Sequence, residues 1–211
     1  LFIHKRVWGD ASIWVFIQAI KMELNDIEIR QTKNGDFDAI MQVEKEAFGY
    51  NKEARLVADL LTDSSAGPLV SLLAFYRGQA VGHVLFTRVY FDGQREQPMM
   101  HILAPLAVVP AFQRQGIGGL LIKAGIRRLE EMGSNLVFVL GHKDYYPRYG
   151  FMPQAERAGY PAPYPIPDEY ADCWMVQPVG KVGFDVGKGK IRCSDVLGKP
   201  EHWRDDEADK I

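Results

Sequence analysis

Residues 103–122, LAPLAVVPAFQRQGIGGLLI, constrain this chain more than any other stretch: an apolar run meets a glycine-containing turn and then apolar positions at helical spacing. A strand turning directly into a helix leaves the first helical N–H groups without partners, and the aligned peptide dipoles add about half a positive charge there. Such a terminus can hold a diphosphate largely through main chain. Gly116 and Gly118 lack a Cβ and so leave room for phosphate oxygens, and Arg114 adds a cation. The run lacks the Lys-Ser/Thr pair of a Walker loop and the acidic residue that completes a dinucleotide fingerprint. An ordinary tight strand-to-helix turn has the same spelling, so this run alone leaves both readings open.

A second element follows downstream. Residues 136–141, LVFVLG, read as a buried strand that leads into DYYPRYGFMP at 144–153. Together and in this order, the two elements resemble the GNAT superfamily of N-acetyltransferases, and their wording is closest to its YhbS-like branch of predicted acetyltransferases. The family's acyl-CoA diphosphate loop runs Gln/Arg-x-x-Gly-x-Gly/Ala after a strand ending Leu-x-Val-x-Pro. Gln113, Gly116 and Gly118 fill the loop positions, and Leu106, Val108 and Pro110 fill the strand. The resemblance spans residues 27–180.

The resemblance implies an α/β fold with a mixed sheet, its N-terminal strands antiparallel and a splayed parallel pair admitting the pantetheine arm of acetyl-CoA. It implies an N-acetyltransferase that moves the acetyl group from acetyl-CoA to a primary amine by direct transfer in a ternary complex. Gln113, Arg114, Gln115, Gly116, Ile117 and Gly118 then surround the diphosphate. The main chain of Leu106, Ala107 and Val108 serves the pantetheine amides and the thioester carbonyl. Tyr146 lies four residues before Gly150, where the family places its tyrosine acid at the start of a helix, and Tyr145 is the alternative donor.

His83 is the first candidate base, followed by His101, Glu44 and Glu46, although strand histidines and helical glutamates also serve purely structural ends. Several members of the superfamily deprotonate their amine through water. Asp168 and Glu169 are acidic positions suited to a cationic acceptor, whether a small molecule or a peptide amine. A different class of function, a non-catalytic acyl-CoA sensor or scaffold, fits the same loop; Tyr146→Phe separates them, because only an enzyme loses rate.

Composition narrows the field. The 211 residues carry 25 basic and 27 acidic side chains, a net charge of -2, without the basic stripe that nucleic-acid binding needs. Cys173 and Cys193 read first as reduced thiols of a cytoplasmic protein, with a disulfide between them as the minor reading. No Cys/His spacing suggests a metal, and no Gly-x-Ser-x-Gly elbow suggests a hydrolase. The apolar stretch at 13–17 is too short to span a membrane. Residues 1–21 are expected to be an upstream extension before a start at Met22, 22–180 the acetyltransferase domain, and 181–211 a C-terminal extension. Its GKIRC and PEHW segments suit an edge strand or a neighbouring subunit, and a homodimer is a possible assembly.

Periodicity predicts strands at 26–30, 69–76, 80–90, 100–109, 136–140 and 173–179, and helices at 37–48, 52–61 and 116–132. The Pro/Tyr-rich run 161–170 is expected to be an extended surface loop.

Overall fold

A computed structural model describes residues 24–203. The expectation for residues 1–21 lies outside the described residues. Seven strands form one sheet among those described: β1 (Ile27–Gln31), β2 (Val70–Tyr76), β3 (Gln79–Phe91), β4 (Met100–Val108), β5 (Leu136–Leu140) and β6 (Trp174–Pro178) in spatial order, with β7 (Ile191–Arg192) pairing the far end of β3. All neighbours are antiparallel except β4 and β5. The mixed sheet matches the expected fold class, and β7 is the expected edge strand.

Local chemistry accounts for the elements. The β2–β3 turn has just Arg77 and Gly78 between Tyr76 and Gln79, both at positive φ, as a two-residue hairpin with right-handed strand twist requires. α1 (Phe37–Phe48) buries Ile40, Val43 and Glu44 at three- and four-residue spacing, and Gly49 ends it in the left-handed conformation with its N–H on the Lys45 carbonyl. α2 (Lys52–Thr62) follows and buries Ala54, Val57 and Leu60.

α1 lies against β3 and β4 on one face of the sheet, while α3 (Ile117–Glu131) packs on β2 and β3 on the other. The Phe86 ring fills the space where a Gly125 side chain would stand, so α3 sits unusually close to the strands.

Two expectations need correction. The run 161–170 is not wholly at the surface: Ala162 and the preceding Tyr160 are buried in the core, and Trp174 donates its indole N–H to the Tyr160 carbonyl at 2.8 Å. Proline keeps a segment out of a ladder, but it does not keep its neighbours out of a core. The segment after β5 is no α-helix; it is a single 3-10 turn over Tyr146–Tyr149, halted by Gly150 at φ 97°. In the C-terminal region Ile191, Cys193 and Leu197 join the same core, and Val196 N–H donates to Asp63 Oδ2 at 3.0 Å. Both cysteines are free, and burial pushes the Cys193 thiol up to about 12.

Candidate functional site

The sheet opens where β4 and β5 stop pairing. Met100, His101 and Ile102 oppose Leu136, Val137 and Phe138, but β4 runs on to Val108 without a partner on that side. Between Val84/Leu106 and Phe86/Leu103 the β4 strand holds one residue more than β3, a bulge that sets Ala104 and Pro105 at the mouth of the opening. Val109 N–H donates to the Val81 carbonyl at 3.0 Å, and antiparallel pairing alternates. The N–H groups of Leu106 and Val108 therefore turn away from β3 toward the opening, while that of Ala107 turns to His83.

Beside this free edge begins α3. Gly116, at φ 91°, is its N-cap with no side-chain capping bond, so the N–H groups of Ile117, Gly118 and Gly119 lack helical acceptors. Gln113 turns its amide back to the Val108 carbonyl and Gln115 to the Ala111 carbonyl, both at 2.9 Å, so these side chains shape the loop. Arg114 stands exposed at φ 58°.

The room left by Gly118 is taken by the Tyr145 hydroxyl, that of Gly119 by Tyr149 and that of Gly141 by Tyr146. The missing Cβ of Gly118 thus also seats a tyrosine on the helix. The three rings meet edge to face, with Tyr145 5.2 Å from both Tyr146 and Tyr149.

A cavity of about 350 Å³ lies on the other side of the opening. β4 supplies residues 102–106 and β5 Leu140; α1 and α2 supply Phe48, Lys52, Glu53 and Leu56; the C-terminal segment closes it with Leu197, Glu201, His202 and Trp203. Of the three clustered tyrosines, Tyr146 lines this cavity and Tyr145 and Tyr149 do not. Burial pushes the Tyr146 phenol up to about 12, so it keeps its proton at neutral pH.

The candidate bases go elsewhere. His83 is fully buried and is not among the cavity's lining residues. Its Nδ1–H donates to Glu44 Oε1 at 2.5 Å, and its Nε2 lies 2.9 Å from Ser71 Oγ. Burial raises the Glu44 carboxyl, opposed by the His83 N–H that it accepts. This Ser-His-Glu row ties α1 to β2 and β3, and the Ser71 hydroxyl is as inaccessible as the ring. His101 lies at the paired end of β4, between the Ser134 hydroxyl and the Pro68 carbonyl at 2.9 Å each, and burial lowers it to about 4. Glu46, Asp168 and Glu169 are exposed and away from the cavity wall.

The model of the acetyltransferase (GNAT) family matches residues 37–152. The chain belongs to the GNAT family. It is 53% identical over 174 residues to the uncharacterized N-acetyltransferase YjhQ of Escherichia coli (strain K12), which covers 82% of this chain and 96% of YjhQ. The uncharacterized N-acetyltransferase YhbS of the same strain is 35% identical over 107 residues, 51% of this chain and 62% of YhbS. Among solved structures, the fold is similar to Escherichia coli YhbS in complex with CoA, at TM-score 0.73 and 26% identity over 82% of this chain and 93% of that one. It is also similar to a GNAT acetyltransferase from Brucella melitensis in complex with acetyl-CoA, at TM-score 0.64 and 27% identity over 81% and 97% of the two chains.

For a GNAT protein the β4 opening and the α3 terminus fit an acyl-CoA by their donors: main-chain N–H groups at Leu106, Val108 and 117–119 without internal acceptors, next to a cation. Sequence reasoning missed Glu53, His202 and Trp203 as parts of the wall. They lie far apart in the chain, and the PEHW segment was the sole hint of the last two.

Proposed function

We propose that this GNAT member is an N-acetyltransferase, transferring an acetyl group directly from acetyl-CoA to a primary amine within a ternary complex. The observation that carries this reading is the position of Tyr146. Its protonated phenol lines a cavity that begins at the free edge of β4, where a leaving sulfur must lie if the amides of Leu106 and Val108 are to be used.

Acetyl-CoA, when bound, supplies an acetyl thioester. The first-turn N–H groups of α3, with Arg114, hold the diphosphate through the helix dipole and direct hydrogen bonds. Leu106 and Val108 N–H groups pair with the pantetheine arm and polarise the thioester carbonyl. As the amine nitrogen bonds to the carbonyl carbon and the C–S bond breaks, Tyr146 gives its proton to the sulfur. His202 takes the proton that the ammonium must lose beforehand. Burial lowers its pKa, leaving it neutral at pH 7.

Direct transfer is favoured over an acyl-enzyme because, among the described residues, no cysteine lines the cavity and the Ser71 hydroxyl is buried away from it.

Isothermal titration with acetyl-CoA tests the reading. Binding with one site per chain and a Kd on the order of micromolar supports it, given that typical KM values begin there. Absence of binding to the folded chain overturns it.

A further inference from the structure

The cavity wall carries a polar atom whose partner is missing. Glu53 Oε1 accepts from the Tyr50 hydroxyl at 3.3 Å, while Oε2 is buried without a hydrogen bond. A buried carboxylate oxygen left unpaired is costly, and a ligand N–H that reaches it removes that cost. The other carboxylate of the wall, Glu201, has a side chain 63% exposed, so it belongs to the rim, and Lys52 is exposed on the same rim. Burial holds the His202 imidazole below its ordinary range, which favours the neutral ring. Apart from the Tyr146 phenol, the other side chains that line the space are apolar, among them Phe48 and Leu56 from the helices, Leu106 and Leu140 from the open strands, and Trp203 from the C-terminal segment.

Resting on the acetyltransferase reading above, we propose that the acceptor is a primary monoamine on a compact apolar body, its nitrogen held by Glu53 and its body lodged among Phe48, Leu56, Leu140 and Trp203. Glu53 accepts one N–H both before and after the ammonium gives a proton to His202, which leaves the nitrogen lone pair free to bond to the acetyl carbon. The second proton lost from nitrogen restores the Tyr146 phenol after that phenol has protonated the departing sulfur. A volume near 350 Å³ is at the small end of ligand sites and suits an arylalkyl amine. A polyamine would bury further charges among these apolar side chains, and a free amino acid would carry its carboxylate into a space whose buried carboxylate is Glu53.

The test compares 2-phenylethylamine, spermidine and phenylalanine as acceptors by release of the CoA thiol, and measures amine binding separately as a thermal shift in the presence of CoA. The expected result is a kcat/KM for 2-phenylethylamine at least tenfold above the other two. Glu53→Gln should raise its KM at least tenfold and abolish its thermal shift, with the Kd for acetyl-CoA unchanged. Leu56→Gln, a second variant one turn along α2 from Glu53, should raise the same KM severalfold. Preference for spermidine or phenylalanine, or an unchanged thermal shift in both variants, overturns the proposal. If acetyl-CoA itself does not bind, the acetyltransferase reading fails, and the amine thermal shift still decides whether Glu53 holds a monoamine.

Discussion

On the α3 side of the opening, the groups turned outward are main-chain N–H donors of residues 106, 108 and 117–119, whose positions follow from where a strand loses its partner and where a helix begins. On the opposite side, the wall consists of side chains drawn from α1, α2, β4, β5 and residues 197–203. Main-chain donors tolerate many side chains and read one chemical group, a diphosphate or an amide. A side-chain wall changes its chemistry with each substitution. The fold can thus keep one donor while the acceptor site takes its own character, and the two halves should respond separately to mutation.

The largest expected effect lies beneath the acceptor half. Glu44 of α1 and His83 of β3 join that helix to the sheet without touching either site. Glu44→Ala leaves the buried His83 ring without its carboxylate, which should cost about 3–5 kcal/mol in urea unfolding. Replacing both Glu44 and His83 by leucine should recover part of the loss, because only the Ser71 hydroxyl is then left without its partner. If Glu44→Ala keeps full stability yet loses amine turnover, the pair serves the chemistry instead, and the division between scaffold and wall is drawn in the wrong place.

Tyr146 stands at the seam, so its substitution sharpens the comparison. Tyr146→Phe should lower kcat about a hundredfold, the low end for loss of a general acid, with the Kd for acetyl-CoA unchanged. Equal turnover by the phenylalanine variant would mean that water protonates the sulfur. Tyr145→Phe, which alters a ring seated on α3, should leave kcat within a few-fold of the original.

The next effect is smaller and depends on pH. His202 accepts a proton only when neutral; burial lowers its pKa, with Lys199 and Lys52 acting in the same direction against Glu201 and Asp59. Rate should therefore hold at pH 7 and fall as the pH drops through a value below the ordinary 6.5 of an imidazole. His202→Asn should reduce kcat/KM about tenfold to a hundredfold and erase that acidic limb. An unchanged profile in the variant would assign deprotonation to water.

The same contrast explains what the sequence disclosed. The candidate diphosphate loop and its strand are consecutive residues, so chain order alone places them, and the predicted α1, α3 and β5 match almost to the residue. Among the tyrosines, the family resemblance put Tyr146 first and Tyr145 second, but only packing separates them: Tyr145 and Tyr149 settle into gaps at Gly118 and Gly119, while Tyr146 turns to the cavity. His83 looked like a base because imidazole has the right pKa, yet the pattern of a half-buried strand cannot say that Glu44, 39 positions away, waits on the facing helix. Glu53 was invisible for the same reason, and for His202 the PEHW segment gave a place in the chain but no site. Their proximity depends on how the C-terminal segment is fastened, through Asp63 and Ser65 to the backbone of Val196 and Asp195. No local pattern encodes that contact.

The smallest effect tests the independence of the halves most directly. Arg114 lies on the exposed loop at φ 58°, a conformation that glycine adopts without strain, so Arg114→Gly removes the cation and relaxes the backbone. Arg114→Glu keeps the strained conformation and reverses the charge. If the guanidinium meets the diphosphate, Arg114→Glu should weaken acetyl-CoA binding about tenfold, or about 1.4 kcal/mol, and Arg114→Gly by less. Because the loop is in water, much of the difference should vanish in molar salt, where the screening length falls to about 3 Å. Neither variant should move the KM of the amine. A change there equal to the change in acetyl-CoA affinity would show that the loop and the cavity are coupled through the β4 edge, and that the main-chain half is not the independent platform its geometry describes.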